Sequence, residues 1–292
     1  MADDLPDLRA SFDSAADLYQ QARPDYPDEL YETLLRVTGL KSGARILEIG
    51  CATGKATLPL ARRGMQLTCV ELGAELAAAA RRNLAAYPNA TVITGAFETT
   101  PAVGERFDLV FAATSWHWLD PSIRYRRAWE LLDVAGHLAF WSASHVFPDG
   151  GDPIFLQLQE VYEEIGEAKA DDRPRPGELP DSRAEIEDSG LFEVAAIAQF
   201  DWEVTYSADE YLRLLGTFSN HITMEPWKRE RLYAEVRRLL ELRNDGRLRR
   251  HWGAVLHVAR RRETSAQMSH TPLKLSLLHQ DLRFLFLAPS TK

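Results

Sequence analysis

The sequence predicts an α/β fold, a mostly parallel sheet flanked by helices. Three observations predict it. The run Ala44-Arg-Ile-Leu-Glu-Ile-Gly-Cys-Ala-Thr-Gly54 carries a short apolar strand straight into a glycine-bearing loop, and a helical pattern follows from Lys55 to Arg63. A buried parallel strand reads as such an apolar run rather than as an alternation. Further strand-like runs at 66–71, 91–95, 107–112 and 137–141 alternate with helical stretches, the rhythm of successive βαβ units. The rhythm is interrupted at 146–185, which is rich in Pro, Gly and acids.

Composition narrows the class. The 292 residues are 45% hydrophobic and 26% charged, enough for one large domain or two small ones. Thirty-four Lys+Arg against 43 Asp+Glu give a net charge of −9, a surface that repels phosphate backbones, so no nucleic-acid partner is expected. No apolar run approaches the ~18 residues of a membrane-spanning helix, so no membrane partner is expected. The acidic start, Met-Ala-Asp-Asp, does not read as a signal peptide. The two cysteines, Cys51 and Cys69, form no CxxC pair and suit a reducing, cytoplasmic compartment.

The opening loop carries the chemistry. Gly50 and Gly54 let backbone N–H groups approach a ligand, because no Cβ stands in the way. The helix that follows adds unpaired N–H groups and the positive end of its dipole. The result is a nucleotide-type site at the carboxyl end of the first strand. A dinucleotide fingerprint would need a small residue where Lys55 stands, which argues against an NAD enzyme. A P-loop would need one more residue between the glycines, and Ser or Thr in place of Ala56.

The remaining elements follow in order. Before the sheet, Phe12, Ala15, Ala16 and Tyr19 fall at helical spacing, Arg23 to Pro27 breaks the pattern, and Leu30, Leu34 and Leu35 restart it. The second strand, Gln66 to Glu71, ends on an acid 21 residues after Gly50, where a carboxylate can accept from both hydroxyls of a ribose. An alanine-rich helix spans 74–86. The third strand runs into Ala96-Phe97-Glu98, and the fourth into Ala113-Thr-Ser-Trp-His-Trp-Leu-Asp120. Within the interruption, 153–165 has helical spacing. A strand follows at 192–206, a helix N-cap signature at Ser207-Ala-Asp209-Glu210, an amphipathic helix at 226–242 and a last strand at 251–260.

The run Glu48-x-Gly50-x-x-Thr53-Gly54 resembles the first motif of class I S-adenosylmethionine-dependent methyltransferases. The segments Phe12 to Pro27 and Ser115-x-His117-Trp118-x-Asp120 resemble the small-molecule, trans-aconitate methyltransferase-like (methyltransferase type 11/25) group. The resemblance implies a Rossmann-like, seven-stranded, mostly parallel sheet with 192–206 antiparallel. It implies a methyltransferase domain over 1–262, with an N-terminal cap over 1–40 and a lid or acceptor-pocket insertion over 146–190. Residues 263–292 are left as an extension without a motif.

The implied cofactor is S-adenosyl-L-methionine, released as S-adenosyl-L-homocysteine, with no metal. Its implied contacts are Glu48, Gly50, Cys51, Ala52, Thr53 and Gly54 in the loop, then Glu71 and Leu72 at the ribose. Ala96, Phe97 and Glu98 would surround the adenine, and Ala113 would close the fourth strand. From the cap, Arg23 suits the methionine carboxylate and Tyr19 the sulfonium. The chain departs from the group at Ala96, where many members carry Asp, and at Ala52, where most carry glycine.

Tyr26, Trp116 and Trp118 are the implied acceptor contacts. His117 can act as general base toward a hydroxyl or amine, its ordinary pKa being about 6.5; the alternative is a histidine bonded to its own loop. The expected reaction is methyl transfer to an O, N or C nucleophile of a small molecule, with a carboxylate acceptor needing no base. The alternative is a methyltransferase-fold protein that holds the cofactor without turnover, or serves as a subunit. A monomer or homodimer is expected.

Overall fold

The computed structural model describes residues 13, 16–100, 106–168 and 173–263. Phe12, Asp171-Asp172 and the extension from 264 onward lie outside these. The strands are β1 (Arg45–Ile49), β2 (Gln66–Glu71), β3 (Ala90–Thr94), β4 (Phe107–Ala113), β5 (Leu132–Trp141), β6 (Ala143–Val146), β7 (Phe192–Ser207) and β8 (Arg247–Arg261). They form one sheet in the order β3-β2-β1-β4-β5-β8, with β7 beyond β8. β1 to β5 pair in parallel.

β6 adds no new position to the sheet. β5 places His137 opposite Arg260 and Phe140 opposite His257, and β6 places Ala143 opposite Ala254 and Val146 opposite His251. The register is continuous, so β6 is β5 resumed after a break at Ser142, and the sheet has seven positions. One expectation is corrected. The strand that opposes the parallel set is β8, not 192–206: β8 is antiparallel to β5, and β7 is antiparallel to β8. The end of β7, Ser207, pairs with the start of β8, Arg247. The chain leaves and re-enters the sheet at the same end, which forces the reversal onto β8.

The helices are α1 (Ala16–Ala22), α2 (Asp28–Thr38), α3 (Thr57–Arg62), α4 (Ala74–Asn83), α5 (Arg124–Leu131), α6 (Ile154–Glu164), α7 (Arg183–Asp188), α8 (Ala208–Leu215), α9 (Ser219–Ile222) and α10 (Pro226–Glu241). Successive strand residues point to opposite faces, and both faces are covered. Ile46, Leu109, Phe111 and Ala139 pack with Leu30, Tyr31 and Leu34 of α2. Leu47, Ile49, Val110 and Leu138 pack with Tyr125, Ala128 and Leu131 of α5 and Ile186 of α7. That is why these strands read as unbroken apolar runs.

A third core lies apart. Ile154, Leu158 and Val161 of α6 pack with Tyr211 and Leu215 of α8, Leu232, Val236 and Leu240 of α10, and Trp252 of β8. The helix of the insertion therefore shares its core with the segment after β7, and the two make one helical subdomain. Asp152 pins its entrance, accepting from Arg243 Nη1 at 2.9 Å and Nη2 at 2.5 Å and from the Arg249 N–H at 2.8 Å. α8 opens on a capping box in which Ser207 and Glu210 satisfy each other's backbone N–H, worth about 1 kcal/mol. Among the described residues, no helix is long and apolar enough to cross a membrane.

Candidate active site

β1, β2 and β4 end at one edge, and their loops meet there. Gly50 adopts φ +66°, and a Cβ on it would lie 2.7 Å from the Ser115 Cβ. Glycine is therefore what lets the loops after β1 and β4 close together. Ser115 completes the contact by donating its hydroxyl to the Ile49 carbonyl at 2.5 Å. Ala52 sits at φ 47°, a left-handed conformation costing a side-chain-bearing residue about 1 kcal/mol or more. Its N–H donates to Glu71 Oε2 at 2.7 Å, and the Gly73 N–H donates to Oε1 at 2.9 Å. The loop and the acid at the end of β2 are thereby one unit. Burial raises the Glu71 pKa, opposed by these backbone donors. Each oxygen keeps acceptor capacity for a hydroxyl.

Around this unit lies a cleft of about 560 Å³, within the ~300–1,000 Å³ range of small-molecule sites. Gly50, Ala52, Glu71, Leu72, Phe97 and Ala113 line it on the sheet side, and Tyr19 and Arg23 on the cap side. His117 and Trp118 stand on its wall after β4. The carboxylate of Glu71, the backbone cradle at Gly50 and the apolar flank of Leu72 and Phe97 fit a nucleoside-bearing cofactor.

Other expected cofactor contacts do not line this cleft directly. Glu48 is 1% exposed and, with Cys51, borders an adjoining cavity of about 30 Å³ that shares Tyr19, Arg23, Gly50, Ala52 and Ala113 with the cleft. Its carboxyl accepts from the Thr57 hydroxyl at 2.5 Å. Burial pushes its pKa up to about 8 despite that bond, and nearby Glu71 adds to the rise. Thr53 donates to Gln20 Oε1 at 2.5 Å and accepts from Asn83 Nδ2 at 2.9 Å through its carbonyl, bracing the loop against α1 and α4. Gly54 turns the chain at φ +86° against Leu84. The Ala96 carbonyl closes its own turn, accepting from the Thr100 N–H and hydroxyl. Gly95 and Phe97 face the cleft there, whereas Ala96 and Glu98 are not among its walls.

The acceptor-side residues also divide. Trp116 is 4% exposed, stacked on Phe140 at 5.0 Å and edge-on to Tyr125 at 5.1 Å, so it belongs to the core. Residues 116–118 form one 3₁₀ turn, in which successive side chains diverge by about 120°. Trp116 turns inward, and His117 and Trp118 face the cleft. His117 is exposed at the cleft wall. Loss of hydration against its neighbours, then the cationic Arg124 and Arg23, hold its pKa below the usual imidazole value. Tyr26 is a strut: its hydroxyl shares a 2.6 Å hydrogen bond with Thr114 Oγ1, and its ring meets Trp141 edge-on at 5.7 Å. It borders the small cavity beside Glu48 rather than the cleft.

Several wall residues escaped the sequence. Thr114 sits at φ 58° where β4 ends, and Ser142 to Ser144 line the cleft where β5 breaks. Phe218, Ser219 and Asn220 close it from the helical subdomain. Arg23 reaches across to them, donating from Nε to Thr217 Oγ1 and from Nη2 to the Thr217 carbonyl, both at 2.8 Å. Its guanidinium lies 4.2 Å from the centroid of the Phe218 ring. The one available signal was Thr217-Phe-Ser219, a polar interruption after an apolar helix. Beyond Phe218 and Asn220, which line both, is a second cavity of about 310 Å³.

A class I methyltransferase fold with a nucleoside cleft at the ends of β1 and β2 is the class that this geometry defines. The comparisons agree. Residues 46–136 match the family model described as "Methyltransferase domain". An uncharacterized methyltransferase of Mycobacterium tuberculosis is 27% identical over 235 residues, 80% of this chain and 87% of that protein. A malonyl-[acyl-carrier protein] O-methyltransferase of Geobacter sulfurreducens is 37% identical over 122 residues, 41% of this chain and 43% of that protein. Among solved structures, one designated a type II methyltransferase, from Anaeromyxobacter dehalogenans, shares the fold at 21% identity and a TM-score of 0.57, over 82% of this chain and 97% of that one. The chain is a class I S-adenosylmethionine-dependent methyltransferase.

Proposed function

We propose that the acceptor is a small molecule, held on the far side of Phe218 and Asn220 from the cofactor. The observation that carries this reading is the pair of adjoining cavities, about 560 and 310 Å³, that share those two residues. The cofactor supplies a methyl group already activated on its sulfonium. The protein's part is to hold donor and acceptor in line, which supplies several kcal/mol. Glu71 holds the ribose hydroxyls, the Gly50–Ala52 backbone approaches the nucleoside, and Phe97 and Leu72 flank the base. Tyr19 and Arg23 close over the methionine end and, with Phe218, keep water from the reacting atoms. His117, held neutral at neutral pH, accepts the proton of a hydroxyl or amine acceptor.

A thermal-shift comparison tests the donor, since a ligand that binds only the folded state raises the melting temperature. S-adenosylmethionine and S-adenosylhomocysteine should raise it and NAD should not; the reverse would overturn the reading. Release of S-adenosylhomocysteine with small molecules of a cell extract then tests turnover. Cofactor binding with no release across broad panels would favour a cofactor-binding protein without turnover.

A further inference from the structure

We propose that Arg250 anchors a carboxylate of the acceptor in the second cavity, and that this carboxylate is not the group methylated. The proposal rests on the reading of that cavity as the acceptor's side of the site. Arg250 is 8% exposed and lines the cavity. Its guanidinium is fixed between two rings, 4.4 Å from the centroid of Trp252 and 5.5 Å from that of Phe218. Nη1 donates to the Tyr211 hydroxyl at 3.2 Å. Nε has no hydrogen-bond partner among the described residues.

A buried cation is costly unless it is paired, and two other arginines packed against this part of the fold or the sheet have a carboxylate each. Arg124, equally buried, has Glu185, and Arg243 has Asp152 at 2.5 Å. Among the described residues, no carboxylate lies within 4.0 Å of Arg250. The one acid on the cavity wall, Glu167, is engaged by Lys228 Nζ at 2.7 Å. His145, also on the wall, is kept neutral by burial and by the charge of Arg250 itself. The cavity thus offers one preorganised, unmatched guanidinium, whose planar fork suits a carboxylate.

The walls define the rest of the ligand. Phe147, Phe155, Leu158, Tyr162 and Leu215 form its apolar part, against which a ring or short alkyl chain fits, and Gln159, Arg173, Asn220 and His221 form a polar part. Arg250 does not line the methyl-transfer cleft. The Phe218 ring, which borders both cavities, has the Arg23 guanidinium 4.2 Å and that of Arg250 5.5 Å from its centroid. A carboxylate held there lies away from the donor, and its oxygens are occupied by donors. The nucleophile is therefore a second group at the other end of the acceptor.

The test uses isothermal calorimetry on the full chain. S-adenosylhomocysteine is titrated first; failure of this titration would count against the methyltransferase site itself, separately from this proposal. On the loaded protein, benzoate, phenylacetate and 3-phenylpropionate are each compared with their neutral amides. At least one acid should bind tenfold or more tighter than its amide. Arg250→Gln should reduce that preference below twofold, and Arg250→Lys should keep part of it, both with S-adenosylhomocysteine affinity within twofold of the parent. No preference for any acid, or a preference that survives in Arg250→Gln, would overturn the proposal.

Discussion

Replacing Glu48 by glutamine should change the pH dependence of stability and leave cofactor affinity alone. The side chain is 1% exposed and its pKa is pushed up to about 8 from an ordinary 4.5. Between those values the folded chain holds a proton that the unfolded chain has lost. Stability then falls as pH rises, by up to about 1.4 kcal/mol per unit for one proton. The contribution is complete below about pH 4.5 and lost as pH rises through about 8. From pH 5 to 7.5 it amounts to roughly 3 kcal/mol. Glutamine keeps the shape and can still accept from Thr57 Oγ1, which lies 2.5 Å from the carboxyl, but cannot ionise. The stability difference, variant minus parent, should therefore grow by about that amount between pH 5 and 7.5. Urea unfolding at half-unit pH steps reads it, and the other titrating groups largely cancel in the difference. Parallel curves for the two proteins would refute the placement of Glu48 in a dry, unpaired position. A tenfold loss of S-adenosylhomocysteine affinity would return it to the cofactor site.

Glu71→Ala should weaken S-adenosylhomocysteine binding by more than ~1 kcal/mol in calorimetry, because it removes charge-assisted acceptors from the ribose hydroxyls and frees the Ala52 N–H, now 2.7 Å from Oε2; unchanged affinity would rule out the ribose role. His117→Gln should lower kcat far more than cofactor affinity. With the imidazole pKa below its usual value, the parent's kcat/KM should fall only as pH drops below about 6.5, and the variant should lack that limb; a limb retained in the variant would assign it to another group. Trp116→Ala should destabilise by about 3–5 kcal/mol in urea, as a core aromatic does, whereas Trp118→Ala should cost less stability and chiefly raise the acceptor KM.

Local periodicity made the sheet side of the cleft legible. The strand into Gly50, the acid that ends β2 and the turn after β3 each follow from a short run of residues and a backbone requirement. The placements of the residues that do not line the cleft also have local causes. Glu48 was grouped with the loop by its motif, but within β1 it alternates with Leu47 and Ile49, on the face of Ile46, and sits opposite Cys69 of β2. Strand alternation alone assigns it to the core. Trp116 and Trp118 are two residues apart in one 3₁₀ turn, and nothing in their identities says which faces inward. Ala52 was readable as an oddity, and its φ of 47° with an N–H on Glu71 supplies the reason the strain is tolerated. The break of β5 at Ser142 and the reversal of β8 depend on which strands meet, and no window of sequence carries that.

The proposed acceptor half is built from opposite ends of the chain. The bond from Arg23 to Thr217 spans 194 residues, and α1 lies against both α4 and α8. Arg250, Tyr211 and Phe218 come together only once β7 has paired with β8 along its length. The family match covers residues 46–136, and within it lie Gly50, Glu71, Phe97 and His117, which face the cofactor cleft. Tyr19, Arg23, Phe218 and Arg250 all lie outside it. The shared domain therefore explains a common donor. On the proposed reading the choice of acceptor falls to the cap and the helical subdomain, which lie off the strand ends that form the sheet side of the cleft. Substitutions in α6, α8 and α10 should for the same reason act on the acceptor and leave the cofactor cleft intact.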